Sequence, residues 1–176
     1  MPRHPNVIWE LLAADALIAS VIVDGHHLPP ATVKSLTRAK GARRTILVTD
    51  AIAAAASPPG RYSVGGVECD LADDGRVSLP GTPYLAGSSL TLDRAIANAV
   101  RFTGLPLDDV VPMASTIPAA YLGTTTAGTV TADWDAAACV LRICEVTCPA
   151  DLSRRSGLGP SAKAEAPRSG RKSEGG

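Results

Sequence analysis

The chain has 176 residues, enough for one ordinary domain, and 45% of them are hydrophobic, so a packed core is expected. Lys and Arg number 17, as do Asp and Glu, and aromatic residues make up only 3%. This balance argues against a nucleic-acid partner recognised by net charge or by base stacking. The longest apolar run, at residues 16–23, is too short to cross a membrane, and the N-terminus lacks an apolar signal segment. A cytoplasmic protein without a membrane partner is therefore expected.

A short helix is predicted at residues 7–14, because Asn6 is a favourable N-cap and apolar residues follow it. Its apolar stripe consists of Val7, Trp9, Leu11 and Leu12. The continuous aliphatic run at residues 16–23 predicts a strand that is buried on both faces, as strands of parallel sheets are.

A second helix is predicted at residues 31–39, because Pro29 and Pro30 precede it and Gly41 can end it. Its charged side chains are expected to face solvent; they are Lys34, Arg38 and Lys40. A second buried strand follows at residues 45–49. The order strand, helix, strand predicts a βαβ unit with parallel strands, whose carboxyl ends would carry the chemistry.

The rest of the chain predicts smaller elements and a tail. In chain order these are an inserted β-hairpin at about 58–84 with a turn at 73–75, helices at 90–102 and 107–115, and short β segments at 123–146. Residues 149–176 are rich in Ser, Gly, Ala and Pro, and they are expected to form a disordered tail.

Asp50 is the strongest candidate for a catalytic residue. It follows the predicted strand at 45–49 directly and precedes a loop of small residues, so its carboxylate is expected at the mouth of the sheet. There it could act as a general base that accepts a proton from water and returns it to a leaving amine. Equally, an Asp at this position could only cap the following turn.

His26 and His27 follow the other predicted strand, in the turn that begins with Asp24 and Gly25. Since the carboxyl ends of neighbouring parallel strands meet at one edge, this turn and Asp50 are expected to converge. Adjacent side chains on extended backbone point in opposite directions, so at most one imidazole should reach a shared site. That imidazole could bind substrate, ligate a metal or be only structural.

Three weaker features complete the search for sites. The Leu-Ala-Gly-Ser-Ser segment at residues 85–89 could bind an anion or a sugar hydroxyl, or Ser88 or Ser89 could simply cap the following helix. Three of the four cysteines lie within ten residues, without the spacing of a structural zinc site. No Gly-x-Ser-x-Gly motif of a serine hydrolase occurs.

Several short segments, in order and spacing, resemble the second half of N-acetylglucosamine-6-phosphate deacetylases, which are metal-dependent amidohydrolases. They are Arg-His-Pro at 3–5, Ile-Val-Asp-Gly-His-His at 22–27, Ala-Lys-Gly at 39–41, Leu-Val-Thr-Asp-Ala at 47–51, Leu-Ala-Gly-Ser-Ser-Leu-Thr at 85–91 and Ala-Ser-Thr-Ile-Pro-Ala at 114–119. The combination of the Asp-Gly-x-His and Val-Thr-Asp-Ala segments is the most specific part of the resemblance. The similarity covers residues 3–146.

The resemblance implies an α/β fold, namely the C-terminal part of a (β/α)8 amidohydrolase barrel with its last two strands and their helices. Residues 1–122 would form this partial barrel, with the β insertion at 58–84. Residues 123–148 would contribute to a flanking β-sandwich, and residues 149–176 would be the tail. The family acts on N-acetylglucosamine 6-phosphate, and the resemblance implies a cytoplasmic hydrolase of amino-sugar metabolism.

The resemblance also implies roles for individual residues. Asp50 matches the family's catalytic Asp, which acts as a base toward a metal-bound water and as an acid toward the departing amine. Substrate binding is implied for three groups of residues: the turn of Asp24, Gly25, His26 and His27; the segment of Leu85, Ala86 and Gly87; and Arg3. In the family this arginine reaches the phosphate of a neighbouring subunit's substrate, so a homodimer is implied.

The family's divalent metal, zinc or a similar ion, is held by a Glu and two His that lie upstream of the matching stretch. The chain offers no replacement for these ligands, so we expect no metal ligand in it and poor activity of the chain alone. The alternative hypothesis is a non-catalytic remnant or module that binds a sugar phosphate or a complementary half-chain.

Overall fold

The computed structural model describes residues 5–148, which form helices and strands of a mixed α/β fold. The helices are α1 (Val7–Ala13), α2 (Pro30–Lys40), α3 (Leu92–Thr103), α4 (Leu107–Val110) and α5 (Thr116–Tyr121). The strands are β1 (Ala19–Ile22), β2 (Thr45–Val48), β3 (Gly60–Val64), β4 (Val67–Leu71), β5 (Arg76–Ser78), β6 (Leu85–Ser88), β7 (Thr129–Asp135) and β8 (Val140–Thr147). Arg3 and residues 149–176, and with them the predicted tail, lie outside the described residues.

The predicted βαβ unit is confirmed. β1 and β2 pair in parallel, from Ala19 opposite Thr45 to Ile22 opposite Val48, and α2 connects them. α2 begins at the predicted prolines, and Gly41 follows its last residue with a φ of +78°, which favours glycine. The two carboxyl ends of the strands therefore lie at one edge of the sheet.

The main core lies between this sheet and α2, α3 and the turn after α4. Its buried members are Val21, Val23, Val33, Leu47, Leu90, Ala95, Ile96, Ala99, Val110 and Met113. β1 is buried less completely than predicted, because Ser20 is exposed while Val21 is buried. The expectation that both faces of this strand are buried is thus wrong in this chain, whereas three of the four residues of β2 are buried.

The first and second helices differ from prediction in their environments. Asn6 caps α1 by accepting a hydrogen bond from the backbone N–H of Ile8, as expected, but no residue of α1 is buried and Trp9 is 59% exposed. Lys40 was expected to face solvent, yet it is buried. Its ammonium donates to the backbone carbonyls of Leu11 and Ala14 at 2.8 and 2.7 Å, which satisfies the open carboxyl end of α1.

The inserted β element is larger than the predicted hairpin. β3, β4, β5 and β6 form a four-stranded antiparallel sheet in that order. The turn at 73–75 connects β4 to β5 as expected, and Gly65 and Gly66 make a second turn between β3 and β4. The segment at 85–88, for which no strand was predicted, is strand β6, and it pairs antiparallel with β5.

The last third of the described chain contains short helices and one hairpin. The helix predicted at 107–115 is α4 followed by a 3-10 helix at Val111–Ala114, and α5 was not predicted. β7 and β8 pair antiparallel, from Thr129 opposite Thr147 to Asp135 opposite Val140. None of the helices between residues 5 and 148 has the length and apolar character needed to cross a bilayer.

Candidate functional site

The turn after β1 is organised around the carboxylate of Asp24. Its Oδ1 accepts hydrogen bonds from the backbone N–H groups of His26 and His27, both at 2.9 Å. Its Oδ2 lies 2.7 Å from Nδ1 of the His27 ring. The Asp24 side chain is only 8% exposed and that of His27 is 24% exposed. Asp24 therefore shapes the turn and orients the imidazole at once.

Opposing effects act on the pKa of the Asp24 carboxyl. Burial alone would raise this pKa, but the hydrogen bonds from the backbone and ring of His27 and from the backbone of His26, with the nearby imidazole charge, lower it. The pKa of Asp24 therefore lies below its ordinary value, because the ionised form accepts three hydrogen bonds. Asp24 is a carboxylate at neutral pH.

The turn is also anchored to α3 behind it. Asn98, a buried residue of that helix, donates from Nδ2 to the carbonyl of Val23 at 2.8 Å. Arg101 donates to Oδ1 of Asn98 at 2.7 Å. The sequence pattern did not single out Asn98, because a polar residue within a helix carries no signal that its partner lies 75 positions away.

His26 and His27 make different contacts. His27 is held by Asp24, whereas Nε2 of His26 lies 3.4 Å from the backbone carbonyl of Asp74, in the turn between β4 and β5. The two adjacent rings thus contact different parts of the molecule. Of these two histidines, His27 is the one that pairs with a carboxylate.

Asp50 lies two residues beyond β2 and is exposed to solvent. Its φ is +47°, in the left-handed region that a non-glycine residue rarely adopts, although Asp and Asn tolerate it best. Within residues 5–148 its side chain accepts no hydrogen bond and forms no ion pair. The carboxylate is therefore open to an incoming water or ligand.

The segment of Leu85, Ala86 and Gly87 lies beside the Asp50 loop. Ala51 and Ser88 form a parallel bridge, and the backbone N–H of Ile52 donates to the carbonyl of Ser88 at 2.9 Å. Leu85, Ala86 and Gly87 are all half-buried. The sequence-predicted sugar-contacting segment is thus hydrogen-bonded to the loop that carries the sequence-predicted base.

Gly87 is required where it stands. Its φ of +127° disfavours other residues, and a Cβ built there would overlap Cγ2 of Ile52. Only glycine lets β6 approach the Asp50 loop this closely.

Ser88, the last residue of β6, and Ser89 do not cap α3, contrary to the simpler expectation. Thr91 is the N-cap residue of that helix. Ser88 Oγ accepts from the backbone N–H of Leu90 at 2.9 Å, and Ser89 Oγ donates to the carbonyl of Gly75 at 2.6 Å. The contact of Ser89 ties the end of β6 to the turn between β4 and β5.

These contacts connect the three sequence-predicted segments. The turn at 24–27 contacts Asp74, Gly75 contacts Ser89, and Ser88 bonds to the loop after Asp50. The turn between β4 and β5, which was predicted only as a hairpin turn, therefore lies between two of the candidate binding segments. No local pattern in the sequence indicates that this turn contacts the candidate binding segments.

Metal ligands were sought among the described residues as well. Between residues 5 and 148, no three His, Cys, Asp or Glu side chains lie close enough together to hold a metal ion. The four cysteines are free thiols, and burial raises the pKa of the Cys69 thiol, which disfavours the thiolate that a metal would require. The described part of the chain does not fit the family's divalent metal.

The chain is 37% identical over 139 residues to an N-acetylglucosamine-6-phosphate deacetylase of Lysinibacillus sphaericus, covering 79% of this chain and 35% of that one. It is also 37% identical over 121 residues to an Escherichia coli K12 protein provisionally described as an N-acetylgalactosamine-6-phosphate deacetylase, covering 69% of this chain and 71% of that one. The chain thus spans about a third of the Lysinibacillus enzyme.

The solved structures agree with the sequence relatives. The crystal structure of N-acetylglucosamine-6-phosphate deacetylase from Thermotoga maritima superimposes with a TM-score of 0.71 at 26% identity, covering 84% of this chain and 42% of that one. No protein-family model matches the chain. The amidohydrolase fold of these enzymes accounts for the mixed α/β architecture. The chain belongs to the N-acetylglucosamine-6-phosphate deacetylase family.

Proposed function

We propose that the chain is the C-terminal part of an enzyme that hydrolyses N-acetylglucosamine 6-phosphate to glucosamine 6-phosphate and acetate. The observation that carries this proposal is the parallel register of β1 and β2, in which Ile22 lies opposite Val48. Asp24 and Asp50 each follow two residues after this pair, so the imidazole-bearing turn and the exposed carboxylate start at one edge of the sheet. This edge is where α/β enzymes carry their active sites.

Asp50 is the general base in this proposal. Its carboxylate takes a proton from a water molecule whose oxygen adds to the acetyl carbon. The same proton is then delivered to the amide nitrogen as the C–N bond breaks, which yields acetic acid and the amine. Transfer of the acid proton to the amine leaves acetate and the ammonium form of the sugar. The exposure of the Asp50 side chain and its lack of partners within residues 5–148 suit a group that must meet both water and substrate.

The substrate-binding residues in the proposal are those that the resemblance implies: Asp24, Gly25, His26, His27, Leu85, Ala86, Gly87 and Arg3. The contacts of the segment at 85–88 with the Asp50 loop support its assignment to the same site. Arg3 would contact the phosphate across a homodimer interface. Both the homodimer and the cytoplasmic location stay predictions.

The proposed architecture assigns β1 and β2 to the last two strands of a (β/α)8 barrel within residues 1–122. The β7–β8 hairpin, within residues 123–148, would contribute to a flanking β-sandwich. The divalent metal of the family is not assigned to any residue of this chain, since the described part contains no fitting set of ligands. The proton transfers proposed for Asp50 therefore do not require any residue of this chain to bind the metal.

A chimera tests the proposal. Residues 1–148 replace the matching C-terminal part of the Lysinibacillus sphaericus enzyme, and acetate release from N-acetylglucosamine 6-phosphate is measured. The galactose epimer is assayed in parallel, because one relative with equal identity is described as acting on it. Turnover of either sugar that depends on Asp50 supports the proposal, and turnover that survives Asp50→Asn contradicts it.

A non-catalytic module that binds a sugar phosphate is the second candidate function. The absence of a metal-binding cluster among residues 5–148 favours it for the chain by itself. Calorimetric titration of the 176-residue chain with glucosamine 6-phosphate, alongside the acetate assay, separates the two. Binding by the chain together with an inactive chimera would favour the module.

A further inference from the structure

A partly buried hydrogen bond determines which nitrogen of His27 carries the proton. Oδ2 of Asp24 lies 2.7 Å from Nδ1 of His27, and the other carboxylate oxygen is occupied by two backbone N–H groups. An ionised carboxylate can only accept hydrogen bonds, so the ring nitrogen that faces it must be a donor. In neutral His27 the proton therefore belongs on Nδ1, and Nε2 carries the lone pair.

We propose that Asp24 is a positioning residue that holds neutral His27 in its Nδ1–H tautomer, so that Nε2 acts as a hydrogen-bond acceptor. This assignment deepens the proposed function and rests on it where substrate is concerned. An acceptor at Nε2 recognises a group that carries a hydrogen, such as a sugar hydroxyl or an amide N–H. It does not recognise a carbonyl or phosphate oxygen unless the ring also gains a second proton.

Asp24 belongs to the proposed substrate-binding turn, and its surroundings indicate that it serves this turn by positioning His27. Its side chain is 8% exposed, while that of His27 is 24% exposed. The backbone below the pair is held as well, because the buried Asn98 donates to the carbonyl of Val23, the residue before Asp24. Carboxylates that orient a metal-bound histidine in this way commonly contribute about 10- to 100-fold to metal affinity or activity, and we expect a similar range for a histidine that binds substrate.

Replacement of Asp24 with Asn provides a sharp test, since the two side chains have the same shape. The Asn Oδ1 can keep both backbone hydrogen bonds, which leaves the Nδ2 amide group facing the ring. That group is a donor, so Nδ1 must become the acceptor and the proton must move to Nε2. The substitution should therefore reverse the tautomer while the turn keeps its backbone bonds.

The experiment measures two-bond couplings between ring nitrogens and carbon-bound ring protons in the 176-residue chain with ¹⁵N-labelled histidine. Spectra are recorded at a pH high enough that the ring signals no longer change with pH, so that the histidines are neutral. The three histidines are assigned with His4→Gln and His26→Gln. Asp73→Asn, an exposed residue in the neighbouring β-turn, is the control.

We expect the Nδ1–H pattern for His27 in the unmodified chain and in Asp73→Asn, and the Nε2–H pattern in Asp24→Asn. An Nε2–H pattern in the unmodified chain overturns the inference without requiring any variant to fold. So does an unchanged pattern in Asp24→Asn when its amide spectrum shows a folded chain.

Activity of the chimera separates this inference from the proposed function. Asp24→Asn should lower kcat/KM about 10- to 100-fold. A chimera that has no deacetylase activity even with Asp24 and Asp50 intact contradicts the proposed function and leaves the tautomer result standing. An active chimera that needs Asp50 but shows the wrong tautomer contradicts only the inference.

Discussion

The two strand ends of the parallel sheet carry carboxylates in opposite circumstances. After β1, the side chain of Asp24 is 8% exposed and accepts hydrogen bonds from two backbone N–H groups and one imidazole. After β2, Asp50 is exposed, and its side chain has no partner within residues 5–148. Ile22 pairs with Val48, and Asp24 and Asp50 each lie two positions beyond this pair. Equal places in the sheet therefore do not imply equal chemistry.

What distinguishes the two ends is how many lone pairs remain for a reacting molecule. A carboxylate that already stabilises its own turn is a poor proton acceptor, because protonation would break those bonds. An open carboxylate has no such bonds to lose. In the proposed function, Asp24 therefore orients His27, and Asp50 transfers the proton.

The largest effect is expected from Asp50→Asn in the chimera. The amide cannot accept a proton, so kcat should fall about 100- to 10,000-fold. Asn tolerates the φ of +47°, so the free energy of unfolding should change by less than about 0.5 kcal/mol. Acetate release and denaturant unfolding measure the two quantities.

Asp50→Ala is the matched control for backbone strain. Ala lacks the local tolerance for positive φ and should destabilise the chain by about 1–2 kcal/mol while losing the same activity. Full activity of either variant would remove Asp50 from the chemistry.

Gly87→Ala should disturb the Asp50 end while sparing the Asp24 end. The added methyl group would overlap Ile52, and the φ of +127° would be strained, so we expect the free energy of unfolding to fall by about 2–5 kcal/mol. Thermal and denaturant unfolding provide the measurement. Gly81→Ala also has a positive φ but open space around it, and it should cost only about 1 kcal/mol. Equal losses in the two variants would argue against close packing at Gly87.

Asn98→Ala should loosen the Asp24 end in turn. It leaves the buried carbonyl of Val23 without its side-chain donor, which should cost about 1–3 kcal/mol and speed amide exchange in residues 24–27. Arg101→Ala removes the outer hydrogen bond to Asn98 and the stacking of the guanidinium over the Phe102 ring, and it should cost less than half as much. Unchanged exchange in the turn would show that α3 does not hold it.

The smallest effect is expected in the dependence of the free energy of unfolding on acidic pH, through Asp24. Because the pKa of Asp24 is lowered in the folded chain, the stability that its ionised form provides is complete above the ordinary carboxyl pKa of about 4. It is lost as the pH falls through the lower pKa of the folded chain. The difference in free energy of unfolding between the unmodified chain and Asp24→Asn should therefore shrink as the pH falls below about 4. A difference that grows as the pH is lowered from about 4 would contradict this sign.

Local signals in the sequence predicted much of the scaffold. Pro30 and Gly41 mark the ends of α2, and the aliphatic runs mark β1 and β2, because proline, glycine and β-branched residues act over a few positions. The Asp-Gly-His-His turn was predicted at its correct place. What the sequence did not reveal was that Asp24 holds His27 through the ring.

Several of the failures have a common physical cause, which is contact between segments that are distant along the chain. Lys40 is buried because α1 lies over it. Asn98 and the turn at 73–75 matter only through partners far along the chain. Spacing within one element contains no information about such partners.

The decisive experiment is a crystal structure of the active chimera with bound glucosamine 6-phosphate. The Asp50 carboxylate should contact the amine of the sugar, and Nε2 of His27 should contact the same molecule. A sugar that binds elsewhere, or that touches only one of these two strand ends, would contradict it.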